Sequence, residues 1–515
     1  MFCQEEGALA VGSGPILLSL VESWYEAGLS KLTVRITNGQ ATDVVELRKF
    51  LEQYSHCSDS AAPLNVLNVT EYEDSDWRLL VRPFSFILYV SQNGEIEELR
   101  KLQRACIAER KQMLPAIVIR GRGIIGPLLL ADGEGRWESA WRRIHASVFP
   151  DNRDPLFLDT AAAGLLSNLV VHEWQQAVKG EKEPDCKNHC FILDPVTLTG
   201  GWHSILPHPL VSGFDRASRV DDQEFSLELT DGREKEHEKE WFSAFRRLTS
   251  TVTGIFHAWG EASLIQLPLA QCLVQPVDPY PEGPAQLLPA IVCSGLTHEE
   301  ARRESGLRGI EAYAARLIST QFSGLPSKLQ DSIEAGAGCT GIEAAWRGLR
   351  ACLAKQFNKR TEFQKPVVSL APSAQIEDSR CRYYLKALSN KDDKPLIAPG
   401  EPLLGFPVVW VYSNSSWYGS ADFSFTHALR QSLQKALNQS EGAAVSDVVW
   451  SDHDMLEMMI PASDSIGDRS LLLSALNTLK QHHKRLEVFD MKSESFLGKG
   501  PFLVYGVMIG EEEAS

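Results

Sequence analysis

Gly12, Ser13 and Gly14 follow the apolar run Ala8-Leu9-Ala10-Val11 and precede Pro15-Ile16-Leu17-Leu18. A strand that enters a glycine turn and then a helix brings backbone N–H groups and the positive end of the helix close to a phosphate. This is half of a nucleotide-binding fingerprint. The third glycine position of G-x-G-x-x-G is Leu17, a bulky residue where close helix–strand packing favours glycine. Where an acidic residue would hold a ribose hydroxyl, at the end of the second strand, stands Asn38. Gly12, Gly14 and Asn38 are therefore the candidate residues of a degenerate nucleotide site. No cofactor is firmly assigned, and residual ATP binding stays open.

Arg120, Arg122, Arg136, Arg142 and Arg143 lie close in sequence and are candidate contacts for a phosphate or a peptide. Cys186-Lys187-Asn188-His189-Cys190, with His172 upstream, could begin a zinc site. No second cysteine pair follows, so the segment reads as a surface loop with unpaired cysteines and no metal ligand is assigned. His203 and His208, beside Pro207 and Pro209, read as the end of a strand rather than as ligands. The aromatic stretch Trp410–Tyr418 could stack bases or a peptide, although a strand–turn–strand with packed rings explains it as well. No Ser, Cys or Thr stands in a nucleophile elbow, and no catalytic residue is assigned.

The elements that must position these residues fall into two halves. Strand signals at Ala8–Gly12, Leu32–Thr37, Leu64–Val69, Ser85–Val90 and Ala116–Arg120 alternate with amphipathic stretches such as Asp43–Tyr54 and Ile96–Met113. That rhythm predicts an α/β, doubly wound, Rossmann-like sheet. Gly121–Leu130 reads as a strand pair across a glycine-rich bend, Asp159–Val178 as a helix, and Phe191–Pro209 as a second strand pair. Residues 215–240 form a highly charged linker between a domain of residues 1–214 and one of residues 241–515. The second domain reads as α+β, with helices at Thr297–Ser319, Ile342–Phe357, Phe425–Asn438 and Asp468–His482. Strand-like runs there are Leu264–Val274, Val408–Tyr412 and Phe502–Ile509, and Glu511–Glu513 reads as a disordered acidic tail.

Bulk properties narrow the function. The chain has 515 residues, enough for two or three cores. Its net charge of −16 argues against general nucleic-acid binding. No apolar run is long enough to span a bilayer, and no signal peptide precedes the first strand. The ten cysteines are scattered, which suits a reducing cytoplasm. No free-standing domain is expected ahead of Ala8.

Ala8–Leu29 resembles the nucleotide-binding domain of ThiF/MoeB-like adenylating proteins. Ile124-Ile125-Gly126-Pro127-Leu128, followed by Gly135-Arg136-Trp137-Glu138-Ser139-Ala140-Trp141-Arg142-Arg143, resembles ThiF-like partner proteins of thiazole/oxazole-modified peptide clusters. Trp137 and Trp141 stand where that resemblance expects zinc cysteines, so structural zinc is not expected. The second half resembles a YcaO domain at Leu296–Leu307, at Gly336–Lys355 and at Ala428–Asn438. The resemblance implies glutamates on these helices holding magnesium and ATP. Here Ala351 and Ala354 stand on the second helix, Lys435 on the third, and Glu311 remains on the first.

The chain is thus similar to the thiazole-containing bacteriocin maturation proteins, a ThiF-like family. The resemblance implies a non-catalytic maturation factor that binds precursor peptide, activates a separate YcaO cyclodehydratase, or does both, in the cytoplasm. Two rivals stand beside it: an ATP-dependent ThiF-like adenylating or cyclodehydratase enzyme, and a scaffold unrelated to peptide modification. A homodimer is left open.

Overall fold

The computed structural model describes residues 7–29, 31–38, 42–43, 45–47, 49, 65–67, 74–150, 159–180, 183–213, 216–221, 240–369, 374–390, 395–439, 444–451, 458–463, 469–491, 494 and 500–512. Most of the expected Asp43–Tyr54 helix and of the charged 215–240 segment lies outside them. The chain divides into two compact units. One comprises Met1–Gly213, Ser250–His257 and Val277–Leu287; the other comprises Phe214–Thr249, Ala258–Pro276 and Leu288–Ser515.

The first unit is built on one mixed sheet of eight strands: β1 Ala8–Gly12, β2 Leu32–Ile36, β3 Asn65–Leu67, β4 Phe86–Ser91, β5 Gln112–Ile119, β6 Arg122–Ile125, β7 His189–Asp194 and β8 Thr199–Ser204. Their order is β3-β2-β1-β4-β5-β6-β7-β8. The first five run parallel and the last three extend the sheet as an antiparallel meander. All of β1 is buried because both sheet faces are covered. Ala8 and Ala10 point into one core with helix α1, Pro15–Glu26, and Leu9 and Val11 into another with helix α2, Ile96–Ala108. A third helix, α3 Trp137–Arg143, packs Trp137, Ala140 and Trp141 into the α2 core. Helix α4, Thr160–Lys179, is capped by Asp159, whose side chain accepts from the Ala161 N–H, and ends at left-handed Gly180.

Among the helices of the second unit are α5 His298–Ala315, α6 Gly341–Phe363, α7 Ser379–Ser389 and α8 Phe425–Asn438. Each has a side-chain cap at its start: Thr297, Thr340, Asp378 and Ser424. Thr297 and Thr340 each accept the N–H of the glutamate three residues on, at 3.1 Å. Strands here include β9 Ile291–Gly295, β10 Glu334–Gly338, β11 Leu396–Leu403, β12 Phe406–Ser413, β13 Ser416–Ala421, β14 Lys484–Asp490 and β15 Leu503–Glu511. Helix α6 lies on β10 and β15, and glycines permit the close approach. A Cβ at Gly336 would fall 2.1 Å from the Ala344 carbonyl oxygen, and one at Gly348 would fall 2.4 Å from Val507. Trp346, Leu349, Leu353 and Phe357 of α6 fill the core beneath β11–β13. Glu511, expected in a disordered tail, is instead the last residue of β15, opposite Lys484.

Candidate functional site

Three helices of the second unit each turn one stripe of side chains toward a common cavity of about 500 Å³. Helix α5 supplies Glu304, Arg308 and Glu311; α6 supplies Arg347, Ala351, Ala354 and Asn358; α8 supplies His427, Gln431, Lys435 and Asn438. The three- and four-residue spacing puts each set on one helix face. The structure therefore gathers Glu311, Ala351, Ala354 and Lys435, singled out on three separate sequence segments, around one space.

Arg347 dominates its floor. The Nη1 and Nη2 atoms lie 2.6 and 3.0 Å from the two carboxylate oxygens of Glu304, and Nε lies 2.6 Å from Oε1 of Glu311. Glu311 also accepts the Ala337 N–H at 3.2 Å and pairs with Arg308 at 3.2 Å. Burial pushes the Glu304 carboxyl up, but the Arg347 guanidinium overcomes this and holds it at about 2. Burial likewise opposes the charge on Arg347, and the two carboxylates more than offset it.

Beside this cluster stand Arg350 and Lys435. Arg350 lies over the Trp346 ring and pairs through Nε with Asp422 at 3.3 Å. The Lys435 ammonium donates to the Gly419 carbonyl at 2.8 Å and has no ion-pair partner among the described residues. Burial, with Arg350 nearby, lowers its pKa to about 8. On the far wall Arg430 pairs with Asp378, and Arg380 binds Glu300 through both ends of its fork.

A magnesium ion needs several anionic oxygens that nothing else has neutralised. Glu304 and Glu311 are held by Arg347, and Ala351 and Ala354 offer methyl groups. The residues present do not fit a divalent cation. The sequence reading missed Arg347 and Arg350, although Arg347-Gly-Leu-Arg350 places both on the face that carries Ala351 and Ala354.

The glycine turn of the first unit is differently occupied. Gly12 crosses so close to β4 that a Cβ there would meet the Val90 carbonyl oxygen at 1.8 Å. The Ser13 N–H donates to that oxygen at 3.3 Å, and the Gly14 N–H donates to Thr42 Oγ1 at 2.8 Å. Thr42 in turn donates to the Asn38 carbonyl at 3.0 Å. Pro15 opens α1 and has no N–H, and Leu17 is fully buried in the core. Two of the donors that a phosphate would use are therefore engaged within the fold.

The five arginines are tied to separate carbonyls and rings. Arg120 lies 6.0 Å from the Trp141 and Phe149 rings, and Arg122 pairs with Asp194 at 2.6 Å. Arg136 donates to the Val211 carbonyl at 3.0 Å, Arg142 to Pro281 at 3.2 Å, and Arg143 to Pro207 at 2.8 Å.

Cys186 and Cys190 are both buried, which corrects the surface-loop reading. Cys186, in the turn before β7, packs into the core shared with α1, and Cys190, in β7, packs into the core shared with α2; burial raises both thiols, Cys190 to about 12. Among the described residues no group of three His, Cys, Asp or Glu side chains could hold a metal ion. His208 is buried and caps a short helical turn, accepting the Leu210 N–H, while His203 stands half-buried in β8. Trp410–Tyr418 forms the β12–β13 hairpin, turning at Asn414 and Ser415 with φ of 51° and 59°. No described helix is long and apolar enough to cross a membrane.

No protein-family model and no curated protein matches the chain. The Escherichia coli protein MccB overlaps 40% of this chain and 64% of its own, at 8% identity and a TM-score of 0.33. The heterocyclase TruD matches across 98% of this chain and 79% of its own, with 11% identity and a TM-score of 0.51. A heterocyclase solved in complex with substrate and cofactor matches across 98% and 80%, with 11% identity and a TM-score of 0.59. Across nearly its whole length, then, the chain has a fold similar to that of heterocyclases.

Proposed function

We propose that this chain is a non-catalytic maturation factor for a ribosomally made thiazole/oxazole-modified peptide, a bacteriocin in the family it resembles. In this reading the first unit is ThiF-like and the second is a degenerate YcaO-like domain. The chain binds the precursor peptide, activates a separate YcaO cyclodehydratase, or does both, in the cytoplasm.

One observation carries the reading. In a fold similar to that of heterocyclases, Arg347 neutralises Glu304 and Glu311 while Ala351, Ala354 and Lys435 complete the cavity. Activation of a peptide amide by magnesium–ATP needs carboxylates that hold the metal on the phosphates. A wall of guanidinium and ammonium groups withdraws that machinery and leaves the frame. The engaged N–H groups at Gly14 and Ser13 weigh against the adenylating alternative.

Reconstitution tests it. Purified chain, precursor peptide and magnesium–ATP should give no loss of water from the peptide by mass spectrometry. Adding the cyclodehydratase should give ring formation faster than the cyclodehydratase alone. Cyclisation by this chain alone would sink the proposal, and so would a cyclodehydratase indifferent to its presence.

A further inference from the structure

Cys272 and Cys293 stand directly opposite each other on neighbouring antiparallel strands of the second unit, Cys272 in the strand Ala270–Asp278 and Cys293 in β9. Residues opposed in this way point to the same sheet face, with Cα atoms about 4.5–5.5 Å apart, inside the range that a disulfide spans. Helix α5 packs against that face and touches both thiols. Cys272 packs with Ala270 and Ala301, and its thiol lies beside Ser305 and Arg302. The Cys293 thiol lies beside Glu304 and Arg308 of the same helix. Both cysteines are free. They differ in access: Cys272 is fully buried, whereas Cys293 keeps 8% exposure and lines the cavity. A small oxidant entering the cavity therefore meets Cys293 first.

We propose that Cys272 and Cys293 form a redox-sensitive dithiol, which a peroxide of the size of hydrogen peroxide closes to a cross-strand disulfide. The Cys293 thiolate attacks a peroxide oxygen, the O–O bond breaks, and the departing hydroxide takes up a proton as water. Cys272 gives up its proton and attacks the sulfenic sulfur left on Cys293; the S–O bond breaks and a second water leaves. Two thiols thus lose two electrons and two protons, and the peroxide is reduced to two waters. Burial, with Glu304 and Glu311 nearby, holds the Cys293 thiol protonated against Arg308 and Arg347. The first step is therefore slow, and the pair answers sustained rather than passing oxidation. Because β9 runs through Gly295 into the Thr297 cap of α5, the link fixes one wall of the cavity. Its closure asks nothing of a peptide or a partner protein, so its test stands apart from the maturation-factor reading.

Disulfide mapping of the full chain tests it. The folded chain is held overnight in excess hydrogen peroxide, blocked with N-ethylmaleimide and digested without reductant. Mass spectrometry should find the Cys272 and Cys293 peptides joined, lighter than their sum by two hydrogens, and separated again by dithiothreitol. The oxidised chain should melt above the reduced one, because the link restrains the unfolded chain. In Cys272→Ala the link and the rise in melting temperature are lost, and Cys293 goes on to sulfinic acid. Cys293→Ala also loses both and leaves Cys272 a thiol. Circular dichroism establishes that each variant is folded. The proposal is overturned if both cysteines of the natural chain are recovered as blocked thiols, if Cys293 reaches sulfinic acid there without a link, or if the link forms only in urea.

Discussion

Arg347 and Glu304 meet fork to fork across helices α6 and α5, with both N···O distances at 3.0 Å or less. The same guanidinium reaches Glu311 through Nε, so one buried cation serves two carboxylates. Removing it should be far more damaging than removing a surface arginine. Arg347→Ala leaves Glu304 without its bidentate partner and Glu311 with Arg308 alone, and should cost about 3–5 kcal/mol of stability, read as a lowered midpoint in urea. The double variant Arg347→Met with Glu304→Gln should recover part of that loss. If Arg347→Ala unfolds at the natural chain's midpoint, the pairing is not structural.

Lys435 should behave in the opposite sense. Its folded pKa, about 8, lies below the ordinary 10.5. Between those values the unfolded chain binds the extra proton, so this group makes stability rise with pH from about 8 upward. Lys435→Met should stabilise the chain at pH 7 by on the order of 1 kcal/mol, read as a raised melting temperature, and flatten the rise above pH 8. A lower melting temperature for the variant would contradict this.

Asp378 gives the acid limb. Burial raises its carboxyl, but the Arg430 pair and the Cys381 N–H win and bring it to about 2 from an ordinary 3.8. A folded pKa below the unfolded one contributes stability that is complete above about pH 4 and lost as pH falls through about 2. Asp378→Asn should remove about 2 kcal/mol at pH 7 and make the acid limb of a denaturation profile shallower. An unchanged limb would assign acid sensitivity elsewhere.

The glycine turn offers a clean local test. Thr42→Val deletes the oxygen that accepts the Gly14 N–H and should cost about 1 kcal/mol. Gly12→Ala forces a methyl into the Val90 carbonyl and should cost more, or prevent folding. Thermal melts of the two variants should rank in that order.

The parallel half of the first sheet was legible because its strands are short apolar runs closed by turn residues, and Leu32–Ile36 and Phe86–Ser91 fall within a residue of their expected ends. Strand β5 starts four residues earlier than expected, at Gln112, because Pro115 reads as a breaker although its carbonyl still accepts the Gly126 N–H. The expected Leu264–Val274 strand begins only at Ala270, because Gln266 ties the preceding residues into a turn through Leu264 and Gln271. Buried charge was the least legible feature. Arg347 sits in an amphipathic-looking stretch where an arginine reads as solvent-facing, and only the packing of α6 against α5 shows that it faces inward. The five arginines of the first unit read as a basic cluster by proximity in sequence, but Arg122, Arg136, Arg142 and Arg143 each reach a carbonyl between 26 and 139 residues away, and Arg120 lies against the Trp141 and Phe149 rings.

A cation fixed to the chain by covalent bonds has no dissociation constant. A cavity that relied on a mobile ion would change its charge with the ion content of its surroundings. With Arg347 between Glu304 and Glu311, that charge is settled when the helices pack and remains the same in brine, in chelator and in a starved cell.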